Sequence, residues 1–287
     1  MRSIGLKLLA VLALSMLGAP SAAQAVELTK QQQAETRRFA ANNSLFVLYH
    51  EVAHLLFDQL QLPVLGREED AADNLATWTL LKHNSPESHA ALRDAARGWT
   101  LTGLANQSGG NPEDIAANHR LDQQRAHQIV CLMVGSDKRS FRPIANEYGL
   151  DRGRQDTCQG DYGLLNQSLE TVLPSRTAVT DGTQVYVRYH HAGGRLTKAA
   201  DALKSSRVLD RVADEVRLNY TLRNKVRFNA QRCDEANAFY DPDTVEIIFC
   251  YELMEEYMNL YGQTLPPQTA RVRIVTKDKM TKAQTSQ

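Results

Sequence analysis

The sequence predicts an α+β fold that is mostly α, with a small antiparallel β hairpin or sheet confined to the C-terminal half. Three observations lead there. Apolar residues recur at helical spacing from about residue 28 to about residue 175. Alternating β-branched and aromatic residues enter only after residue 182. A tight turn, Asp241-Pro242-Asp243, then separates two apolar runs in the manner of a hairpin.

Each element follows from local pattern. Helix formers fill 30–41, and Leu45, Val47, Leu48, Leu55 and Leu56 carry the period onward. Leu62-Pro63-Val64-Leu65-Gly66 stops that helix. Residues 70–81 read as the next helix, with Ala71, Leu75, Trp78 and Leu81 facing inward. Ser85 suits an N-cap and Pro86 the first position of a third helix. A loop at 109–112 precedes helices over 121–134 and 161–172, the latter closed by Pro174. Strands are expected at 183–189 and 225–229, with a helix over 199–218 between them. The hairpin pairs 238–240 with 245–250, a helix follows over 251–260, and a last strand falls at 272–275.

The first residues are a targeting signal rather than fold. Arg2 and Lys7 are basic, residues 8–17 are almost wholly apolar, and Ala23-Gln24-Ala25 supplies small residues for cleavage after Ala25. A retained anchor is the alternative, but the apolar run is about half of the roughly 20 residues a span requires. The organisation is therefore a signal peptide over 1–25, a helical region over 26–175, an α+β region over 176–276 and a disordered tail over 277–287. The signal by itself predicts only export, with no membrane span after its cleavage; a periplasmic or secreted location is expected with the bacterial resemblance described below. Lys plus Arg balance Asp plus Glu at 33 each, and no basic cluster interleaves with aromatics, which argues against nucleic acid as a partner.

Four cysteines remain after cleavage: Cys131, Cys158, Cys233 and Cys250. An even count in an exported chain favours two disulfides. Three connectivities exist. Cys131–Cys158 with Cys233–Cys250 is favoured, because each pair lies within one local unit. No Cys-x-x-Cys spacing is present to suggest a structural zinc site.

The chemistry centres on His50-Glu51-Val52-Ala53-His54. Four residues of helix put both imidazoles on one face, about 6 Å apart along the axis, where they can share one tetrahedral zinc. Glu51 lies about 100° round the helix and reaches a water on the metal without ligating it. Chance gives about 0.03 such matches in a chain of this composition, so the motif needs support. Its flanks, Leu45-Phe46-Val47-Leu48 and Leu55-Leu56-Phe57, are apolar, so polar groups on this helix need partners. Glu69, 15 residues after His54 on the first turn of the next helix, is read as the third ligand, with Glu68 as its rival. Asp73 shares the face of Glu69 and suits a hydrogen bond that fixes the tautomer of a ligand histidine. The bland reading is that the acidic run merely suits a helix N-terminus.

His-Glu-x-x-His followed by Glu69-Asp70-Ala71-Ala72-Asp73 is similar to the gluzincin kind of zincin peptidase. The string from His50 through Leu62-Pro63-Val64-Leu65-Gly66-Arg67-Glu68 to Asp73 more closely resembles a bacterial putative-metallopeptidase family, a domain of unknown function. So do Asn118-His119-Arg120-Leu121-Asp122 with Cys131, and Cys233-Asp234-Glu235-Ala236-Asn237-Ala238-Phe239-Tyr240 leading to Cys250-Tyr251-Glu252-Leu253. In that family the cysteine-flanked hairpin precedes the His-Glu-x-x-His helix. Here it follows by about 180 residues, so the order looks circularly permuted. Chain ends that lie close together would let a permuted chain rebuild the same architecture.

The resemblance implies a zinc metallopeptidase, a hydrolase acting on peptide or protein substrates. Zinc would acidify a water and polarise the carbonyl, and Glu51 would take the proton and pass it to the leaving amine. A second electrophile is needed for the oxyanion, with His119 first in line, then Tyr240 and Arg125. Against each stands a structural role: a loop or cap for His119, hairpin packing for Tyr240, an ion pair for Arg125. The edge at 239–240 or at 247–249 would add an extended peptide beside the metal. Two other classes stand as alternatives: a catalytically inactive exported binding or scaffold protein, and a metal-dependent cell-wall amide hydrolase.

Overall fold

In a computed structural model of the chain, residues 28–107, 112–173 and 182–266 are described, with side chains at 106–107 and 112–121 set aside. The expected signal peptide, most of the loop at 109–112, the strand at 272–275 and the tail lie outside the described residues.

Helix α1 (Lys30–Gln59) opens on a capping box: the Thr29 side chain accepts from the Gln32 N–H, and the Gln32 side chain accepts from the Thr29 N–H. Buried residues then run from Thr36 to Leu56 on all sides of the helix. A helix that is apolar all round belongs in the middle of a fold, and helices and strands from both halves of the chain pack on this one.

Helix α2 (Glu68–His83) starts two residues before the expected boundary. Glu68, Glu69 and Asp70 fill its first turn, where negative charge complements the helix dipole. It ends at Asn84 in the left-handed region, with φ of 47°. Ser85 caps α3 (Pro86–Gln107) as expected, accepting from the Ser88 N–H at 3.1 Å. Helix α4 (Pro112–Ser136) leads into α5 (Lys138–Glu147) and α6 (Arg152–Val172). Helix α5, which the local pattern does not announce, holds Pro143 inside it, and Asp137 caps it by accepting from the Arg139 and Ser140 N–H groups. Burial of Phe141, Ile144 and Ala145 offsets the lost proline donor. Asp151 likewise starts α6 nine residues before the expected boundary.

Helices α4 and α6 touch backbone to backbone. A Cβ on Gly135 would fall 2.2 Å from the Cys158 carbonyl oxygen, so only glycine permits this approach. The Cys131–Cys158 disulfide crosses the same seam, and Cys233–Cys250 closes the second expected pair.

The strands are β1 (Val185–Tyr189), β2 (Val226–Gln231), β3 (Ala238–Asp241) and β4 (Glu246–Cys250), in the order β1-β2-β4-β3. The hairpin β3–β4 is antiparallel as expected. The rest of the sheet is not: β1–β2 and β2–β4 are parallel. The β1-to-β2 connection passes through helices and so returns the chain in the same direction, while β3 runs back at the outer edge before β4 comes in beside β2. That connection holds two helices where one was expected, α7 (Thr197–Ser206) and α8 (Val208–Asn219), broken at Arg207 with φ of 58°.

Helix α9 (Tyr251–Gln263) leaves β4 directly and lies along α1, where Tyr261 stacks on Phe39 at 4.6 Å between ring centroids. The helical half and the α+β half share one core. The two ends of the described chain meet, since the Gln32 Nε2 donates to the Pro266 carbonyl at 3.0 Å. That closeness is what a permuted order requires.

Candidate metal centre

The buried second half of α1 carries His50, Glu51 and His54 toward the start of α2. His50 and Glu51 are each 6 % exposed. Both imidazoles have a carboxylate at Nδ1: Asp73 Oδ1 lies 2.8 Å from His50, and Glu68 Oε1 lies 2.7 Å from His54. A carboxylate there favours the proton on Nδ1 and leaves Nε2 as the basic nitrogen. The two Nε2 atoms face each other at 3.1 Å. Glu69 reaches into the same space, with one oxygen 3.2 Å from His50 Nε2 and the other 3.6 Å from His54 Nε2.

Ligand atoms of His50, His54 and Glu69 thus lie within 4.8 Å of one another and could hold a metal ion. Electrostatics agree. Burial pulls His50 down, but its hydrogen bonds to Asp73 and Glu69 outweigh that and push it up to about 9. The His50 hydrogen bond holds Glu69 below the usual carboxylate range. The space between these groups attracts positive charge, whether proton or metal.

Glu68, the rival third ligand, sits on the Nδ1 side of His54, away from the shared space. Asp73 sits behind His50 and is itself held by Arg125 of α4, which donates from Nε at 2.5 Å and Nη2 at 2.7 Å. Burial alone would raise Asp73, but the bonds from His50 and Arg125 keep it below its ordinary value. The guanidinium rests on the Trp99 ring at 3.6 Å.

Glu51 faces a cleft of about 830 Å³ that also exposes His50, His54 and Glu69. Burial, opposed by the His50 charge, pushes Glu51 up to about 7, while the nearby Tyr240 backbone N–H favours its charged form. That contact follows from strand register. Asn237 bonds to Cys250 across the hairpin, so alternate residues Ala238 and Tyr240 turn their backbone groups to the free side of β3. Strand β3 is the edge next to the cleft, whereas β4 lies between β2 and β3. Of the two edges expected from sequence, 239–240 lies on the outer strand and 247–249 does not, and on that outer side the Tyr240 N–H faces Glu51 while the Ala238 N–H donates to Asn237 Oδ1 at 2.9 Å.

The three expected oxyanion groups fare differently. The Tyr240 hydroxyl donates to Asp58 at 2.6 Å, and Arg125 is engaged by Asp73. His119 falls in α4, where its side chain lies outside the described residues. Glu256 and Tyr257 of α9 line the cleft and were not foreseen. They belong to no motif, and the amphipathic pattern of α9 marks them only as inner-face residues.

One other group of metal-binding residue types exists among the described residues, Cys131, Cys158 and Asp161, but both of its sulfurs are spent in a disulfide. Among the described residues, no helix is long and apolar enough to cross a membrane. A family model described as "Putative metallopeptidase" matches residues 17–173 and 190–285. No curated protein and no solved structure matches the chain.

Proposed function

The chain belongs to the family described as putative metallopeptidases, and from that premise we propose that it is a zinc-dependent peptidase with Glu51 as general base. One observation carries the reading: the Nε2 atoms of His50 and His54 and the carboxylate of Glu69 converge beside a buried, cleft-facing Glu51. His50, His54 and Glu69 would hold the ion. The donor set suits zinc, which takes imidazole and carboxylate and in catalytic sites keeps a fourth position open. Tetrahedral bonds of about 2.0–2.2 Å give ligand edges of about 3.3–3.6 Å. The separations here, 3.1, 3.2 and 3.6 Å, the last two to different oxygens of Glu69, lie close to those edges.

When bound, zinc supplies an acidified water and a Lewis acid for the substrate carbonyl. The protein does the rest. Asp73 and Glu68 hold both histidines with the proton on Nδ1. Glu51 accepts the proton at its carboxylate and delivers it to the leaving amine. Burial brings its proton affinity close to neutral pH, where a base of this kind works best. The outward carbonyls of Ala238 and Tyr240 on β3 would receive an extended peptide laid along that edge. Phe46, Phe57, Leu62 and Val64 supply apolar wall that limits water. The two disulfides suit an oxidising compartment, in keeping with a periplasmic or secreted peptidase.

The test compares zinc content with turnover of casein and mixed peptides in wild type and Glu51→Gln. Both proteins should bind one zinc, and only the wild type should turn over. Protein that holds no zinc after metal-replete purification overturns the metal reading. Zinc-loaded wild type inert on both substrates points to a scaffold, and activity on muropeptides alone points to a cell-wall amide hydrolase.

A further inference from the structure

We propose that the Tyr257 hydroxyl is the second electrophile of the site, donating a hydrogen bond to the oxyanion that forms on the substrate carbonyl. The inference rests on the peptidase reading above. Attack on an amide carbonyl builds negative charge on its oxygen, and a fixed donor aimed at that oxygen is a large part of catalysis. The cleft must therefore contain a donor that the protein has not already used.

Tyr240 does not meet that condition, and Arg125, though it keeps further N–H groups, is fixed in place by Asp73 and the Trp99 ring. The Tyr240 hydroxyl donates to Asp58 and also receives from Gln59 Nε2 at 3.4 Å. Two nitrogens of Arg125 are committed to Asp73. Tyr257 meets it. Its side chain is only 8 % exposed, yet it lines the same cleft as His50, Glu51 and Arg125. Among the described residues nothing hydrogen-bonds its hydroxyl. Its oxygen is not among the sealed, unpartnered polar atoms of the described residues, which are Thr77 Oγ1 and Gln155 Oε1, so the hydroxyl opens on the cleft, where a ligand atom can meet it.

The backbone explains why it points there. Tyr261 follows Tyr257 by one helical turn, hence on the same face, and Tyr261 stacks on Phe39 of α1. That stack turns the face of α9 toward the helix that carries His50 and Glu51. Arg125, Asp73 and Glu51 all act on the Tyr257 hydroxyl through their charges. Burial first, and the Glu256 charge after it, keep that hydroxyl protonated and so a donor.

The step balances without Tyr257 losing its proton. A C–O bond forms from water and the C–N bond breaks. Glu51 carries the proton from water to the departing amine, and Tyr257 contributes only a hydrogen bond that strengthens as the oxygen gains charge.

Tyr257→Phe removes the hydroxyl and little else. In the zinc-loaded protein kcat should fall about 10²- to 10³-fold, with KM, zinc content and Tm unchanged. A second readout is binding. A phosphinic dipeptide with phenylalanine and leucine side chains presents a charged oxygen in place of the oxyanion. It should bind the variant about 10²-fold more weakly by calorimetry, while a thiol dipeptide lacking that oxygen binds both proteins alike. Equal kcat and equal phosphinate affinity in an active background overturn this proposal alone. Loss of zinc or of Tm in the variant shows that Tyr257 only packs, and also overturns it. An inert zinc-loaded wild type overturns the peptidase reading, and this proposal with it.

Discussion

Asp73→Asn separates what the second carboxylate does for the metal from what it does for the fold. Asp73 is 5 % exposed and faces three N–H groups, from His50 Nδ1 and from Nε and Nη2 of Arg125. Asparagine keeps the volume and one acceptor but removes the charge. Losing a charged acceptor behind a ligand histidine weakens metal binding 10- to 100-fold, or about 1.4–2.7 kcal/mol. The fold loses more. Removing one partner of a buried ion pair costs about 3–5 kcal/mol. The Arg125 side chain is still 22 % exposed and rests on Trp99. The lower end, about 3 kcal/mol, is therefore expected. Adding Arg125→Met removes the orphaned charge. It should restore most of the stability of the metal-free protein and leave zinc affinity weakened. Competition against a chromophoric chelator reads the affinity, and urea unfolding of the metal-free protein reads the stability. Wild-type zinc affinity in Asp73→Asn would refute the argument that Asp73 tunes His50.

Two further outcomes follow from the same geometry. Glu69→Gln should lose zinc affinity by about 10²-fold or more, whereas Glu68→Gln, a partner of His54 Nδ1 with a side chain 58 % exposed, should lose less than about tenfold. The reverse order in a chelator competition would exchange their roles. Replacing Cys131 and Cys158 together by alanine opens a loop of 27 residues. The chain-entropy model puts the loss at about 3.5 kcal/mol. Urea unfolding would check it, with zinc content unchanged because no ligand lies on α4 or α6. An unmoved midpoint would show that the α4–α6 seam holds without its crosslink.

Features that depend on spacing along one element were legible in the sequence. His50 and His54 share a face because four residues make about one helical turn, and Glu69 and Asp73 share one for the same reason. The break at Leu62-Pro63, the Ser85 cap and the turn at 241–243 are local in the same sense, and each disulfide joins elements that lie near each other along the chain. Helix α5 and the break at Arg207 were missed although they too are local. There, burial and the tertiary fold overrode weak intrinsic preferences.

Only the tertiary structure decided the rest, because it depends on how separate elements meet. Helices return the chain between β1 and β2, and β3 does so between β2 and β4, which makes both pairs parallel, and no residue in the strands announces it. Glu68 and Glu69 are neighbours on one turn, and the tilt of α2 against α1 is what sends one to Nδ1 of His54 and the other to both Nε2 atoms. Tyr257 reads as a core tyrosine in sequence. It becomes a cleft residue because α9, about 200 residues after the His50 motif, lies along the helix that carries it. Helical period put the metal-binding residue types on the right faces. Packing between elements determined which atoms converge.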